Sequence, residues 1–179
     1  DVERSRGLGD VYKRQGFMDR LQEALEFATK AHEGQLRKYT FEPYINHPIE
    51  VMEIVRSVPH TEDMLIAALN HDVFEDCGVK LYDIKKKFGW QVMAYVNDLS
   101  DVSKPEDGNR GTRKELDRKW ISESPPESKT IKLADLISNS KSILEHDKEF
   151  AKVYIKEKEL LLEVLTEADP ILYLSLIHI

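Results

Sequence analysis

Apolar residues recur at helical spacing through almost the whole of this 179-residue chain, and this periodicity most constrains its fold. The first such segment, from Met18 to His32, carries Leu21, Leu25, Ala28 and Ala31 three or four positions apart. No segment alternates apolar and polar residues as a half-buried strand does. The length suits one domain with a full core. We therefore predict an all-α protein, a single-domain helical bundle.

Capping residues and prolines mark where the other helices start. Thr61 and Ser124 are good N-caps, and Pro48 suits a first helical turn, where its missing N–H has no cost. Further helices are predicted over 48–58, from 61 onward, and over 81–88, 90–99, 113–121, 124–144 and 148–165. The segments 34–43 and 101–112 contain glycine and proline and are predicted to be loops.

Three polar stretches interrupt the helical pattern and carry the candidate chemistry. They read Tyr-Ile-Asn-His-Pro at 44–48, His-Asp-Val-Phe-Glu-Asp at 71–76 and Lys-Leu-Ala-Asp-Leu-Ile-Ser-Asn at 132–139. Together they offer two imidazoles and two carboxylates to one divalent cation: His47, His71, Asp72 and Asp135. Mixed nitrogen and oxygen ligands suit manganese, iron, zinc or magnesium, and a bundle can bring distant helices together.

The middle stretch lies at the end of an apolar helical pattern that runs toward Gly78, a predicted helix stop. Asp72, Glu75 and Asp76 would then crowd the negative end of a helix dipole, where cations are preferred. A bound metal would supply the missing positive charge. Glu75 and Asp76 could then handle protons beside it. The alternative is an acidic helix end that is simply solvated.

Other polar residues also have two interpretations. Asp135, Asn139 and Ser142 form a stripe at i, i+4 and i+7 that either lines a metal and phosphate site or faces solvent. Arg37 and Lys38 could stack on a base and bind phosphate, or could be ordinary exposed residues. A second basic cluster could face a polyanion or solvent; it consists of Arg110, Arg113, Lys114, Arg118 and Lys119.

Bulk properties limit the partners. The net charge of −7 argues against nucleic acid as a partner, and no apolar run approaches the roughly 20 residues that span a bilayer. The single cysteine, Cys77, excludes an internal disulfide and fits a reducing compartment, so we expect a cytoplasmic protein. The oligomeric state stays open.

The two ends of the chain look foreign. Residues 5–15 resemble the translation of a transposase-type sequencing adapter, and 174–179 resemble the same adapter read from the opposite strand. We therefore expect residues 1–15 to be adapter-derived or disordered, the functional domain to cover 16–173, and 174–179 to be an adapter-derived tail.

Five motifs in order link the chain to a known family. Ala-His-Glu-Gly-Gln-Leu-Arg-Lys at 31–38, Pro-Tyr-Ile-Asn-His-Pro at 43–48, the stretch 67–76, Phe-Gly at 88–89 and the stretch 132–139 closely resemble the HD-superfamily hydrolase domain of RelA/SpoT-type alarmone enzymes. The free-standing small alarmone hydrolases are most similar. The resemblance implies an all-helical, metal-dependent pyrophosphohydrolase, usually loaded with manganese. Such an enzyme removes the 3′-diphosphate of guanosine tetra- or pentaphosphate and yields GDP or GTP and pyrophosphate.

The resemblance also implies roles for individual residues. Its metal ligands would be His47, His71, Asp72 and Asp135. Glu75 and Asp76 would be the acidic pair that positions and activates water, and the nucleotide would contact Arg37, Lys38, Asn139 and Ser142. Three residues depart from the family pattern: Asn70 replaces an apolar residue, Cys77 a common threonine, and Leu136 a frequent basic residue.

Two other functions use the same residues. One is an HD-type nucleotide phosphatase, acting on a 5′-nucleotide or on the 2′-phosphate of NADPH. The other is a catalytically silent module that binds alarmone. The released product, pyrophosphate or orthophosphate, separates the two enzymes.

Overall fold

The computed structural model describes residues 19–179, and within them every regular element is a helix. The predicted adapter-derived segment 1–15 lies outside the described residues. The α-helices are α1 (Arg20–Ala31), α2 (Asn46–Arg56), α3 (Glu62–Leu69), α4 (Val73–Asp76), α5 (Leu81–Phe88), α6 (Trp90–Leu99), α7 (Arg110–Ser122), α8 (Pro126–His146), α9 (Lys148–Val164) and α10 (Pro170–Ile177). The prediction of an all-α, single-domain bundle is confirmed.

Side-chain caps fix several helix starts. The side chains of Asp19, Thr61 and Asn109 each accept a hydrogen bond from a backbone N–H in the first turn of α1, α3 and α7. Because Asn109 is a cap, α7 begins at Arg110, three residues before its predicted start. The predicted loop 101–112 therefore ends earlier, and it contains a short 3-10 helix, Pro105–Asp107.

Helix α3 lies at the centre of the bundle. It is buried from Met64 through Leu69 and packs against α1, α2, α6 and α8. A helix that is apolar on every side must be covered on every side, since each exposed side would leave apolar surface in water. The core therefore surrounds α3, and the turn that follows Leu69 begins in the interior, with Asn70 and His71 buried.

The predicted helix through residues 71–76 is wrong, because α3 ends at Leu69 and a turn separates it from α4. Asn70 donates its side-chain amide to the Ile66 carbonyl oxygen, 3.1 Å away, and His71 donates Nδ1–H to the Ala68 carbonyl oxygen, 2.7 Å away. Side chains that take up main-chain carbonyls compete with continuation of the helix. The acids are therefore in a turn and a four-residue helix, and not at the end of a long one.

The last helix packs onto the core. Leu172 and Leu176 of α10 are buried, and the Lys158 ammonium group donates to the Leu176 carbonyl oxygen over 3.2 Å. Residues 174–179, predicted to be an adapter-derived tail, thus fall largely in α10, and their origin stays a prediction. No helix within residues 19–179 is both long and apolar enough to cross a membrane.

We expect Ile66→Ala to destabilise the fold strongly, because Ile66 is fully buried at the centre of α3. Removing a buried isoleucine side chain to the β-carbon leaves a cavity and lowers the free energy of unfolding by about 2–5 kcal/mol. Urea denaturation followed by circular dichroism measures this loss. The control is Leu160→Ala on α9, where the side chain is 42% exposed and the change should stay below about 1 kcal/mol. Equal losses in both variants would contradict the central position of α3.

Candidate metal centre

Four polar side chains from three parts of the chain meet beside the end of α3. His47 is the second residue of α2, His71 and Asp72 form the turn before α4, and Asp135 lies in the middle of α8. Asp135 Oδ1 lies 2.9 Å from His47 Nε2 and 3.2 Å from His71 Nε2. The structure therefore brings together the four residues that the sequence offered as metal ligands.

The hydrogen bonds of His71 show that the cluster of four side chains needs a proton or a metal ion. The Ala68 carbonyl oxygen can only accept, so His71 Nδ1 carries the hydrogen. In a neutral ring Nε2 is then a lone pair, yet it lies 3.0 Å from Asp72 Oδ2 and 3.2 Å from Asp135 Oδ1. A lone pair and two carboxylate oxygens repel one another unless a proton or a metal ion lies among them.

The pKa shifts of His71 and Asp135 also indicate that the cluster needs positive charge. Burial favours the neutral form of His71, but the Asp72 and Asp135 carboxylates raise the pKa of this histidine well above its usual range. Burial also acts to raise the pKa of Asp135, but hydrogen bonds from His47 and His71 hold it well below its ordinary value. The Asp135 carboxylate thus stays ionised beside a His71 ring that favours its charged form.

The donor set fits a divalent metal. The ligand atoms of His47, His71 and Asp72 lie within 4.8 Å of one another, and this group is buried or half-buried. Two imidazole nitrogens with carboxylate oxygens suit a borderline divalent ion better than an alkali ion or a soft one. A divalent ion would take the place of the proton that His71 Nε2 otherwise needs.

Two supporting residues were missed from the sequence, although both lie inside the polar stretches. Tyr44 donates its hydroxyl to Asp72 Oδ2 over 2.6 Å, and Ser138 Oγ lies 2.9 Å from His47 Nδ1. Burial and the charge of Asp72 raise the pKa of Tyr44 far above its ordinary value, so its hydroxyl stays a donor. Partners of this kind fix how ligand side chains are oriented.

Glu75 and Asp76 lie largely exposed in α4, and two different loops hold them. Glu75 Oε1 accepts the backbone N–H of Asp101, and Asp76 Oδ2 accepts from the Gln35 side chain over 3.3 Å. Partial burial, with the charges of Asp101 and Asp72, raises the pKa of Glu75 to about 7. Burial and Asp72 also raise the pKa of Asp76.

Arg37 and Lys38 lie in the irregular loop between α1 and α2, as predicted, but their contacts are local. Arg37 Nη1 lies 3.3 Å from Glu42 Oε1 and 3.7 Å from Glu50 Oε2, so its guanidinium is held by two acids. The Lys38 ammonium lies 5.3 Å from the centre of the Tyr39 ring and is otherwise exposed. Neither is within ion-pair distance of the metal ligands.

The remaining predicted positions lie on α8 and α7. Asn139 donates its amide to Asp135 Oδ1 over 3.3 Å and therefore adjoins the cluster. Ser142 is half-buried two turns beyond Asp135 on the same helix. In the second basic cluster, Arg110 pairs with Glu157 of α9 at 2.8 Å, which favours a structural role over contact with a polyanion.

Comparisons with known proteins agree on one relationship. The sequence model described as "HD domain" matches residues 24–160. Guanosine-3′,5′-bis(diphosphate) 3′-pyrophosphohydrolase MESH1 of Drosophila melanogaster is 36% identical over 124 residues, which cover 68% of each chain. MESH1 of Homo sapiens is 36% identical over 129 residues and 69% of each chain. The enzyme of the same chemical name from Aquifex aeolicus is 33% identical over 141 residues, but these cover only 20% of that longer protein.

A solved structure shares most of this architecture. It is described as a metazoan ortholog of SpoT that hydrolyses ppGpp, and it superimposes with a TM-score of 0.80. The match has 29% sequence identity and covers 89% of this chain and 92% of the other.

We expect Tyr44→Phe to weaken metal binding without unfolding the protein. The ring packs between His32 and His47, with ring centres 4.8 and 5.7 Å away, and would keep those contacts. The substitution removes the hydroxyl that orients Asp72, so affinity for Mn²⁺ should fall by about tenfold or more. Isothermal titration calorimetry on metal-free protein measures this change. Tyr82→Phe, at an exposed ring on α5, is the control, and an unchanged affinity in Tyr44→Phe would refute the role given to the hydroxyl.

Proposed function

Because the chain belongs to the HD domain family, we propose that it is a metal-dependent hydrolase that removes the 3′-diphosphate of guanosine tetra- or pentaphosphate. The products would be GDP or GTP and pyrophosphate. The observation that carries the proposal is the meeting of His47, His71, Asp72 and Asp135 beside the end of α3, in a fold shared with a ppGpp hydrolase.

The proposed metal ligands are these four side chains, and the proposed ion is Mn²⁺. The nitrogen and oxygen donors suit manganese, while zinc, iron and magnesium are the other ions to compare. The chemistry that a divalent cation would supply here is Lewis acidity toward phosphate oxygens and water. The chain itself supplies the orientation of the ligands through Tyr44 and Ser138.

Glu75 and Asp76 are the proposed catalytic acids. In the hydrolysis, a water oxygen attacks the phosphorus atom attached to the 3′-oxygen, the bond from phosphorus to that oxygen breaks, and one water proton must be taken up. Glu75 suits this step because a pKa of about 7 leaves it partly ionised near neutral pH. Asp76, whose pKa is also raised, is the second acid and is assigned to protonation of the leaving 3′-oxygen.

The residues proposed to contact the nucleotide lie in the loop between α1 and α2 and on α8. Asn139 and Ser142 lie beyond Asp135 along α8 and are assigned to the nucleotide and phosphates. Arg37 is assigned to the base, because its ion pairs with Glu42 and Glu50 hold a planar guanidinium in a fixed position. Lys38, exposed beside it, is assigned to phosphate.

A small guanine nucleotide is therefore the proposed partner, and not a nucleic acid, whose phosphates a chain of net charge −7 disfavours. The proposed compartment is the cytoplasm, since the one cysteine, Cys77, is free.

The test is an assay of products from guanosine tetraphosphate with the Mn²⁺-loaded full chain. We expect GDP and pyrophosphate, and we expect turnover to stop on chelation and to fall by at least about a hundredfold in Asp72→Ala, because a metal ligand is lost. Asp83→Ala, at an exposed acid of α5, is the matched control and should keep full activity. Phosphorus-31 NMR identifies the released species. Orthophosphate would instead indicate a nucleotide phosphatase, and no turnover with intact metal binding would indicate a silent binding module.

We expect turnover to depend on pH through Glu75. If Glu75 acts as a base, kcat should rise as the carboxyl loses its proton around pH 7, and Glu75→Gln should abolish that rise. The folded pKa lies above the ordinary 4.5, so the folded state binds more protons and loses stability as pH rises from about 4.5 to about 7.

The same substitution therefore has opposite effects on activity and stability. The wild type should lose stability between pH 5 and pH 8, whereas Glu75→Gln should not. The resulting difference in the free energy of unfolding should be no more than about 1 kcal/mol, because the side chain is exposed. Rate profiles and urea denaturation of the metal-free protein measure the two effects. Glu106→Gln, in an exposed loop, is the control. An unchanged rate profile in Glu75→Gln would remove Glu75 from the mechanism.

A further inference from the structure

We propose that Lys132 is a positioning residue for Glu75: its ammonium group, beside Asp135, offsets the charge of the Asp101 carboxylate across a cavity that both residues line, and the backbone N–H of Asp101 in turn holds the Glu75 carboxylate. The inference rests on the proposed function in one respect only, the catalytic role of Glu75. The arrangement itself is a property of the folded chain.

Lys132 sits at the edge of the metal cluster. It lies on α8 one turn before Asp135, its Nζ is 3.7 Å from Asp135 Oδ2, and its side chain is 20% exposed. Among the residues that the structure describes, Lys132 is the only lysine or arginine within 4.0 Å of a carboxylate of the cluster. Asp135 thus turns Oδ1 to the imidazoles and Oδ2 to this ammonium group.

Lys132 also faces the loop that follows α6. It lines a cavity of about 40 Å³ together with Asp101 of that loop and Lys114 of α7. Burial opposes the charge of Lys132, but the Asp135 and Asp101 carboxylates raise its pKa.

Asp101 needs that positive charge. Burial and the charges of Asp117 and Asp135 raise the pKa of Asp101, while Lys132 and Lys114 act in the opposite direction. Without Lys132, the repulsion between the charges of Asp101 and Asp135 would be less compensated, and we expect the loop that carries Asp101 to move.

The loop after α6 is held at two separate points, which makes the effect local. The Asp101 N–H donates to Glu75 Oε1, whereas the next two amides, of Val102 and Ser103, donate to Asp117 Oδ1 on α7 over 3.0 and 2.9 Å. Loss of Lys132 should weaken the hydrogen bond from Asp101 to Glu75 and leave the two hydrogen bonds to Asp117 in place. Glu75, in a helix of only four residues, would then lose its fixed donor.

Amide hydrogen exchange on the metal-free full chain tests the positioning without any substrate. In Lys132→Met we expect the Asp101 amide to exchange about tenfold faster or more, because the hydrogen bond that protects it is weakened. The Val102 and Ser103 amides should keep their rates and serve as internal controls. Lys129→Met is the matched variant: Lys129 is a buried lysine of the same helix that pairs with Glu167 at 2.8 Å, away from the cluster.

Steady-state kinetics with guanosine tetraphosphate supply the second test. A displaced Glu75 should lower kcat in Lys132→Met by about ten- to a hundredfold with KM nearly unchanged, since misplacement by 1 Å can cost that much. Lys132→Arg, which keeps the charge, should restore part of the rate. Should Lys132→Met fail to fold, Lys132→Gln replaces it in both experiments.

The outcomes separate this proposal from the proposed function. A higher KM with normal kcat would show that Lys132 contacts the substrate and would overturn the positioning role. Unchanged exchange at Asp101 would overturn it as well. If exchange changes at Asp101 alone while guanosine tetraphosphate is not turned over, the positioning stands and the substrate assignment fails.

Discussion

The carboxylate of Asp135 is the interaction on which the site depends, because it joins parts of the chain that are far apart in sequence. One oxygen accepts from His47 of α2 and from His71 of the turn after α3, and the other faces Lys132. A buried carboxylate is costly unless it is paired and hydrogen-bonded. Three positively charged or chargeable groups compensate this one acid, so α2, α3 and α8 are held in a fixed relation by charge as well as by packing. A metal ion would replace a proton in an arrangement that already exists.

The end of α3 explains how a core helix delivers its polar neighbours to this point. The side chains of Asn70 and His71 donate hydrogen bonds to carbonyl oxygens of the last turn, so the helix ends there. Both residues are buried where the chain turns. The same hydrogen bond that ends the helix also fixes the tautomer of His71 and directs Nε2 toward the carboxylates. The side-chain amide oxygen of Asn70, Oδ1, is left buried without a hydrogen-bond partner among the described residues, a local cost of this construction.

Sequence patterns predicted what depends on residue type and missed what depends on loop geometry. The all-α bundle and most helix starts followed from periodicity and capping, since those signals are local. The four proposed metal ligands were indicated by the three polar stretches and by the family resemblance, and their role stays a proposal. Helical continuity through 71–76 was wrong, because apolar spacing carries no information about side chains that bond back to carbonyls. Asp101 and Lys132 gave no signal, because a contact between a loop and a helix edge depends on the tertiary fold.

The two proposed catalytic acids show why such loop contacts matter more for activity than for stability. Helix α4 is four residues long and contributes one buried side chain, Val73, to the core. Glu75 and Asp76 are each held by one donor, Glu75 by the Asp101 N–H and Asp76 by the Gln35 side chain. Gln35 is itself tied to buried His32, whose Nδ1 lies 2.8 Å from the glutamine oxygen. Loss of one exposed hydrogen bond costs little in unfolding free energy, but it frees a group whose position the reaction requires. Substitutions in these two loops should therefore reduce turnover well before they reduce the stability of the bundle, which is set by the core around α3.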